Sequence, residues 1–122
     1  MAAVDIELKK AFGELQQKMI ETSQKLRLSD IQIESFKRSI ARSQLTDQEL
    51  SALPAETHMY ESVGRMFVLK DAKNIRNNIE NRVHELEEKI KTLETNKSYL
   101  ERNLKDSENN LREMIQHKKE AS

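Results

Sequence analysis

Residues 57–70, THMYESVGRMFVLK, limit what this chain can fold into more than any other stretch of it. They alone read as strand, and Gly64 stands where the first position of a two-residue type II′ hairpin turn requires φ > 0. With Gly64 and Arg65 as the loop, the pairs are Val63 with Met66, Ser62 with Phe67, Glu61 with Val68, Tyr60 with Leu69 and Met59 with Lys70. Side chains alternate faces along a strand. Tyr60, Phe67 and Leu69 therefore point one way, and Met59, Val63, Met66 and Val68 the other. Both faces are apolar. A lone two-stranded hairpin is marginal in water, and one with two apolar faces and two open edges invites pairing. It either packs on this chain's own helices or forms one piece of a sheet or barrel that other chains complete; the second reading suits two apolar faces better. Met59, Tyr60, Val63, Gly64, Met66, Phe67, Val68 and Leu69 are the candidate subunit-assembly residues.

Heptads flank this stretch on both sides. Leu8, Phe12, Leu15, Met19, Leu26, Ile33, Phe36 and Ile40 step by four and three, which predicts a coiled-coil helix over about residues 5–43 with Phe12 at position a. Thr46-Asp47-Gln48-Glu49 reads as a capping box that starts a short turn, and Pro54 ends it, so a capped turn and the hairpin fill about 46–70. Asp71 is a reasonable N-cap for a second helix over about 72–119, with Val83, Ile90, Leu104 and Leu111 at a and Ile79, Leu86, Leu93, Leu100 and Met114 at d. Polar residues interrupt the seam at Asp5, Thr22, Ser29, Ser43, Arg76, Lys97, Ser107 and Lys118. Setting Thr22 against Lys97 and Ser43 against Arg76 matches polar layers and avoids burying an unpaired charge against leucine. The fold expected is mainly α: a single unit over 1–122, a long antiparallel two-helix coiled coil with one β-hairpin at the connecting end.

Composition agrees. Only 36% of residues are hydrophobic and 4% aromatic, against 34% charged, so the chain can bury a stripe but not a broad globular core. Twenty-one basic residues balance twenty-one acidic ones, which removes the net field that would draw it to nucleic acid or an anionic membrane. Cysteine is absent, which excludes disulfides and thiolate chemistry. His58, His84 and His117 share no ligand spacing, and no phosphate cradle or metal motif is present. A two-helix coiled coil offers no pocket to perturb a catalytic carboxylate. The expectations are no enzyme, no cofactor, no metal site, no nucleic acid and no membrane, in a cytoplasmic protein.

A long helix, one hairpin carrying MYESVGRMFVLK and a long return helix with Lys97-Ser98-Tyr99-Leu100-Glu101-Arg102 together resemble a β-type prefoldin subunit of the eukaryotic kind. The resemblance covers essentially the whole chain, and its specificity lies in the hairpin. It implies an ATP-independent co-chaperone in a heterohexamer of two α-type and four β-type subunits. Such an assembly holds unfolded proteins, notably actin and tubulin chains, and delivers them to the cytosolic chaperonin. It further implies that clients are gripped at the free end of the coiled coil, where Val4, Ile6, Leu8, Phe12, Leu111, Met114 and Ile115 gather. Val4, Ile6 and Ile115 lie off the a/d seam, beyond what a two-helix contact buries. Two other readings remain open: a coiled-coil scaffold or tether, and a subunit of a prefoldin-like complex with an assembly or transcription role. A scaffold calls for a polar linker between its helices, which residues 57–70 are not.

Overall fold

The computed structural model describes the backbone of residues 2–121 and the side chains of 6–120. Helix α1 spans Ala2–Ser51, strand β1 Met59–Val63, strand β2 Met66–Lys70 and helix α2 Ala72–Ala121. The two helices run antiparallel, Glu7 meeting Lys118 and Asp47 meeting Arg76. The chain divides into two compact units, Gln32–Thr92 on the one hand and the residues up to Ile31 with those from Leu93 onward on the other. Each draws a stretch from both helices, so no single cut of the chain separates them.

One expected boundary is wrong. α1 does not stop near Ser43 but runs unbroken to Ser51, and the expected capped turn is its last two turns. The Thr46 hydroxyl donates 2.9 Å back to the carbonyl of Arg42 one turn earlier, as a threonine inside a helix does, and caps nothing. The heptad continues through Asp47 at a and Leu50 at d, both half-buried. Asp47 is tolerated there because Arg76 of α2 donates to it at 2.9 Å. The helix then ends where Pro54 forbids its continuation. The Ala52 N–H is shared between the carbonyls of Gln48 and Glu49, and the Thr57 N–H donates 3.1 Å to the Pro54 carbonyl in the turn that leads to β1. At the far side of the hairpin Asp71 holds the N-cap position as expected, its carbonyl accepting the first helical bond from the Ile75 N–H.

The core is a stripe. In the unit Gln32–Thr92 it follows the heptad, with Ile33 and Leu86 buried and Phe36, Ile40, Ile79, Val83 and Ile90 half-buried. Toward the termini the stripe leaves the heptad. On α1, Ala11 at g is half-buried while Phe12 and Met19 at a are exposed. On α2, Ile115 at e is half-buried while Met114 at d is exposed. A straight helix has 3.6 residues per turn, so a strict seven-residue pattern drifts by about 20° per heptad. The direction of the shift, toward g as numbers fall on α1 and toward e as they rise on α2, is the one this drift requires. Phe12, Met19 and Met114 are thus not the seam residues the heptad makes them, and Ile115 is not the off-seam residue.

Candidate functional site

The hairpin forms as its residues dictate. β1 and β2 are antiparallel in the expected register, Met59 opposite Lys70 through Val63 opposite Met66. Gly64 has φ 62°, and no non-glycine among the described residues has positive φ, so Arg65 takes the negative φ that a type II′ turn demands. A Cβ at Gly64 would meet nothing. The glycine is there for its backbone conformation, not for space.

Most of the hairpin's apolar surface has no cover. Met59 is buried, at 8% exposure, but Tyr60, Val63, Met66, Phe67, Val68 and Leu69 are all exposed, Phe67 at 74%. The face carrying Met59 also holds a half-buried ion pair, Lys70 Nζ to Glu61 Oε2 at 2.7 Å. This is a diagonal pair, since Glu61 stands opposite Val68. Among the described residues the sheet has only these two strands, so the outer edge of each is unpaired there.

The terminal candidates separate by exposure. Leu111 is buried, Leu8 and Ile115 are half-buried, and Ile6, Phe12 and Met114 are exposed, Phe12 at 46%. Val4 lies outside the described side chains. An open groove of about 280 Å³ brings Leu111 and Met114 together with Ala11 and Leu15, and Lys18 Nζ donates 2.8 Å to Ser107 Oγ across it. Ile6, Leu8, Phe12 and Ile115 do not border this groove. Ala11, Leu15 and the exposed Met19 were not among the residues expected to form the gripping end. The drift of a 3.6-residue helix against the heptad is the signal that marks Ala11 and Met19.

Besides Glu7 with Lys118, two ion pairs bind the helices, at Arg76 and at Lys97. Arg76 donates to both oxygens of Asp47, at 2.9 and 3.4 Å. That hydrogen bond holds the Asp47 carboxyl below the ordinary carboxylate range and raises Arg76 in turn. Lys97 pairs with Asp30, and the bond raises the Lys97 ammonium above the ordinary lysine value. The partners are not those expected: Arg76 bonds Asp47, one turn beyond Ser43, and Lys97 bonds Asp30, two turns beyond Thr22. Lys89 also lies 5.8 Å from the centre of the Phe36 ring, a cation–π contact over the seam.

Comparison with known proteins settles the family. The model of the family described as "Prefoldin subunit" matches residues 13–118. The chain belongs to the prefoldin subunit family. Prefoldin subunit 1 of Mus musculus is 54% identical over 78 residues, and that of Homo sapiens 53% over the same length. Each match covers 64% of this chain and 64% of the relative. Prefoldin subunit 1 of Arabidopsis thaliana is 37% identical over 75 residues, covering 62% of this chain and 59% of the plant protein. In fold the chain is similar to the prefoldin beta subunit from Thermococcus strain KS-1, with a TM-score of 0.72 at 19% identity over 88% of this chain and 90% of that one. Two long helices and a single hairpin are the β-type prefoldin arrangement, as the order of long helix, one hairpin and long return helix led one to expect.

Proposed function

We propose that the chain is a β-type subunit of a prefoldin heterohexamer of two α-type and four β-type subunits, acting as an ATP-independent holding chaperone in the cytoplasm. Its hairpin joins it to the other subunits through Tyr60, Val63, Met66, Phe67, Val68 and Leu69. The terminal end of its coiled coil holds unfolded proteins such as actin and tubulin chains, which the assembly delivers to the cytosolic chaperonin. Nothing in this cycle needs a cofactor or a bond-making residue. The work is done by apolar surface that is covered on assembly or on holding.

The observation that carries the reading is the hairpin itself, an ordered pair of strands with six large apolar side chains in solvent and two unpaired edges. Contiguous apolar surface of this kind marks a protein–protein contact. At the terminal end, Ile6, Phe12, Met19 and Met114 offer a looser apolar surface. Each end is weak alone, and several ends acting on one client supply the avidity. The test is co-expression of the full chain with α-type and other β-type prefoldin subunits, followed by native mass spectrometry. A six-chain complex containing this chain is expected; a chain that stays outside every complex overturns the proposal. Suppression of aggregation of a denatured client by that complex then tests holding.

A further inference from the structure

A groove of about 250 Å³ opens beside the seam, wholly within the unit Gln32–Thr92. Ser39, Arg42, Ser43 and Thr46 of α1 border it on one side, and Ile79 and Arg82 of α2 on the other. Among the described residues no carboxylate lines it, in a chain whose acidic and basic residues are equal in number. A second groove that Ile79 also borders collects Asp47, Glu80 and Glu87, and no lysine or arginine. Charge is thus sorted between the two grooves, and the first is left with two guanidinium groups. From this we infer that it is a binding site for a phosphoryl group, held by Arg42 and Arg82 together with the hydroxyls of Ser39 and Ser43. The inference goes beyond the assembly and holding roles and uses none of their residues.

The donors are uncommitted. Residues three and four apart are neighbours on a helix, and for Arg42 these are Arg38, Ser39, Leu45 and Thr46, none of them acidic. Arg82 has Glu85 three residues on. Yet among the described residues neither arginine side chain makes an ion pair within the chain, whereas Arg76 and Lys97 each meet an aspartate across the seam. The serines differ from their neighbours in the same way. Thr46 and Thr92 donate their hydroxyls to the carbonyl one turn earlier. Ser39 and Ser43, half-buried one turn apart on α1, make no such bond among the described residues, so both hydroxyls are left to donate into the groove. A site built of donors takes an anion that only accepts. A carboxylate has two oxygens, which one arginine fork already fills. A phosphoryl group has three and carries about −1.5 to −2 at pH 7, which matches two guanidinium groups in charge and leaves an oxygen for the serines. Half-buried Ile79 keeps water from one side of the site, and charge-assisted bonds are stronger where water is scarce. The two arginines stand on different helices, so a bound group ties α1 to α2 and stabilises the folded chain according to its occupancy.

The experiment titrates the full-length chain with inorganic phosphate, against chloride at matched ionic strength, and reads calorimetric heat and Tm. Saturable binding that raises Tm above the chloride control is expected. Arg42→Ala and Arg82→Ala should each weaken it about tenfold, the loss of one charge-assisted contact. Ser39→Ala with Ser43→Ala should weaken it several-fold. Arg38→Ala, one turn from Arg42 and outside the groove, should leave it within about twofold. Alanine favours helix at all these positions, so helicity by circular dichroism stays level and a lost response is lost binding. Two blocked tripeptides, one centred on phosphoserine and one on aspartate, show where the group comes from. A phosphoserine peptide that binds at least as tightly as phosphate assigns the group to a protein side chain, and binding of phosphate alone assigns it to the free ion; either supports the site. Phosphate no better than chloride, an equal loss in Arg38→Ala, or an aspartate peptide that binds as tightly as the phosphoserine one overturns it.

Discussion

The hairpin and the terminal end of the coiled coil both leave large apolar side chains in solvent, for different physical reasons. In the hairpin the exposure is built into the strand period: alternation commits apolar residues to both faces, and the two-residue turn locks them in one register. At the terminal end the exposure is left over from a mismatch. A heptad pattern laid on a 3.6-residue helix carries Phe12, Met19 and Met114 off the seam while Leu111 stays buried. The first surface is contiguous and fixed, fit for one partner. The second is scattered, rich in flexible methionine and mixed with half-buried residues, which suits contact with many partners.

The largest effect expected separates the two regions directly. Phe67→Asp places a charge where a partner should cover an aromatic ring, and an unpaired charge costs about 3 kcal/mol or more, a loss of over 100-fold in association. Phe12→Asp alters a less exposed aromatic at the terminal end and should leave assembly as it was. Native mass spectrometry reads both, with circular dichroism as the control for helicity. Equal loss in the two variants would break the distinction between the regions.

Next in size is the stability difference between two residues one turn apart. Leu111→Ala opens a gap in the buried stripe and should cost about 2–3 kcal/mol of unfolding free energy. Met114→Ala, at a d position by the heptad but exposed, should stay within about 0.5–1 kcal/mol of wild type. Urea denaturation decides it. Similar losses would mean that the seam keeps to the heptad and does not rotate. Smaller again is the effect on holding: Ile6, Phe12, Met19 and Met114 changed together to Ser should lower aggregation suppression only partly with this subunit alone altered, and several-fold when matching residues of the other subunits change too. Unaltered holding in that last case removes the client role from this end.

How legible each region was follows from the same physics. The hairpin could be read almost residue by residue, because Gly64 and the strand alternation are local signals that tertiary packing did not override. The end of α1 could not. Thr46-Asp47-Gln48-Glu49 has the composition of a cap, and only the cross-helix bond from Arg76 shows why Asp47 sits inside the helix at an a position. The terminal candidates were half legible. Ile6 and Phe12 are exposed as a gripping surface needs, but Leu111 is core, and Met19 was missed because counting by sevens hides the drift that exposes it.

The smallest effects concern two of the ion pairs between the helices, one taken from each unit. Asp47–Arg76 belongs to the hairpin-bearing unit and Asp30–Lys97 to the terminal one, and both are exposed enough for salt to screen them. Their pH windows lie at opposite ends of the scale. The hydrogen bond from Arg76 lowers the Asp47 pKa on folding, so its contribution is complete above the ordinary carboxylate pKa of about 3.9 and fades only as pH falls through the lowered value. The bond to Asp30 raises the Lys97 pKa. That contribution is complete below the ordinary lysine pKa of about 10.4 and fades as pH rises through the raised value. Asp47→Asn and Lys97→Gln should each lower Tm slightly at low ionic strength, by an amount that is flat across neutral pH and that 1 M salt largely removes. The Asp47→Asn difference should close only in strong acid, and the Lys97→Gln difference only in strong alkali. A difference for Asp47→Asn that closed already near pH 6 would show that Asp47 gains its proton far above the ordinary carboxylate range, and the hydrogen bond from Arg76 would not then account for its place in the seam.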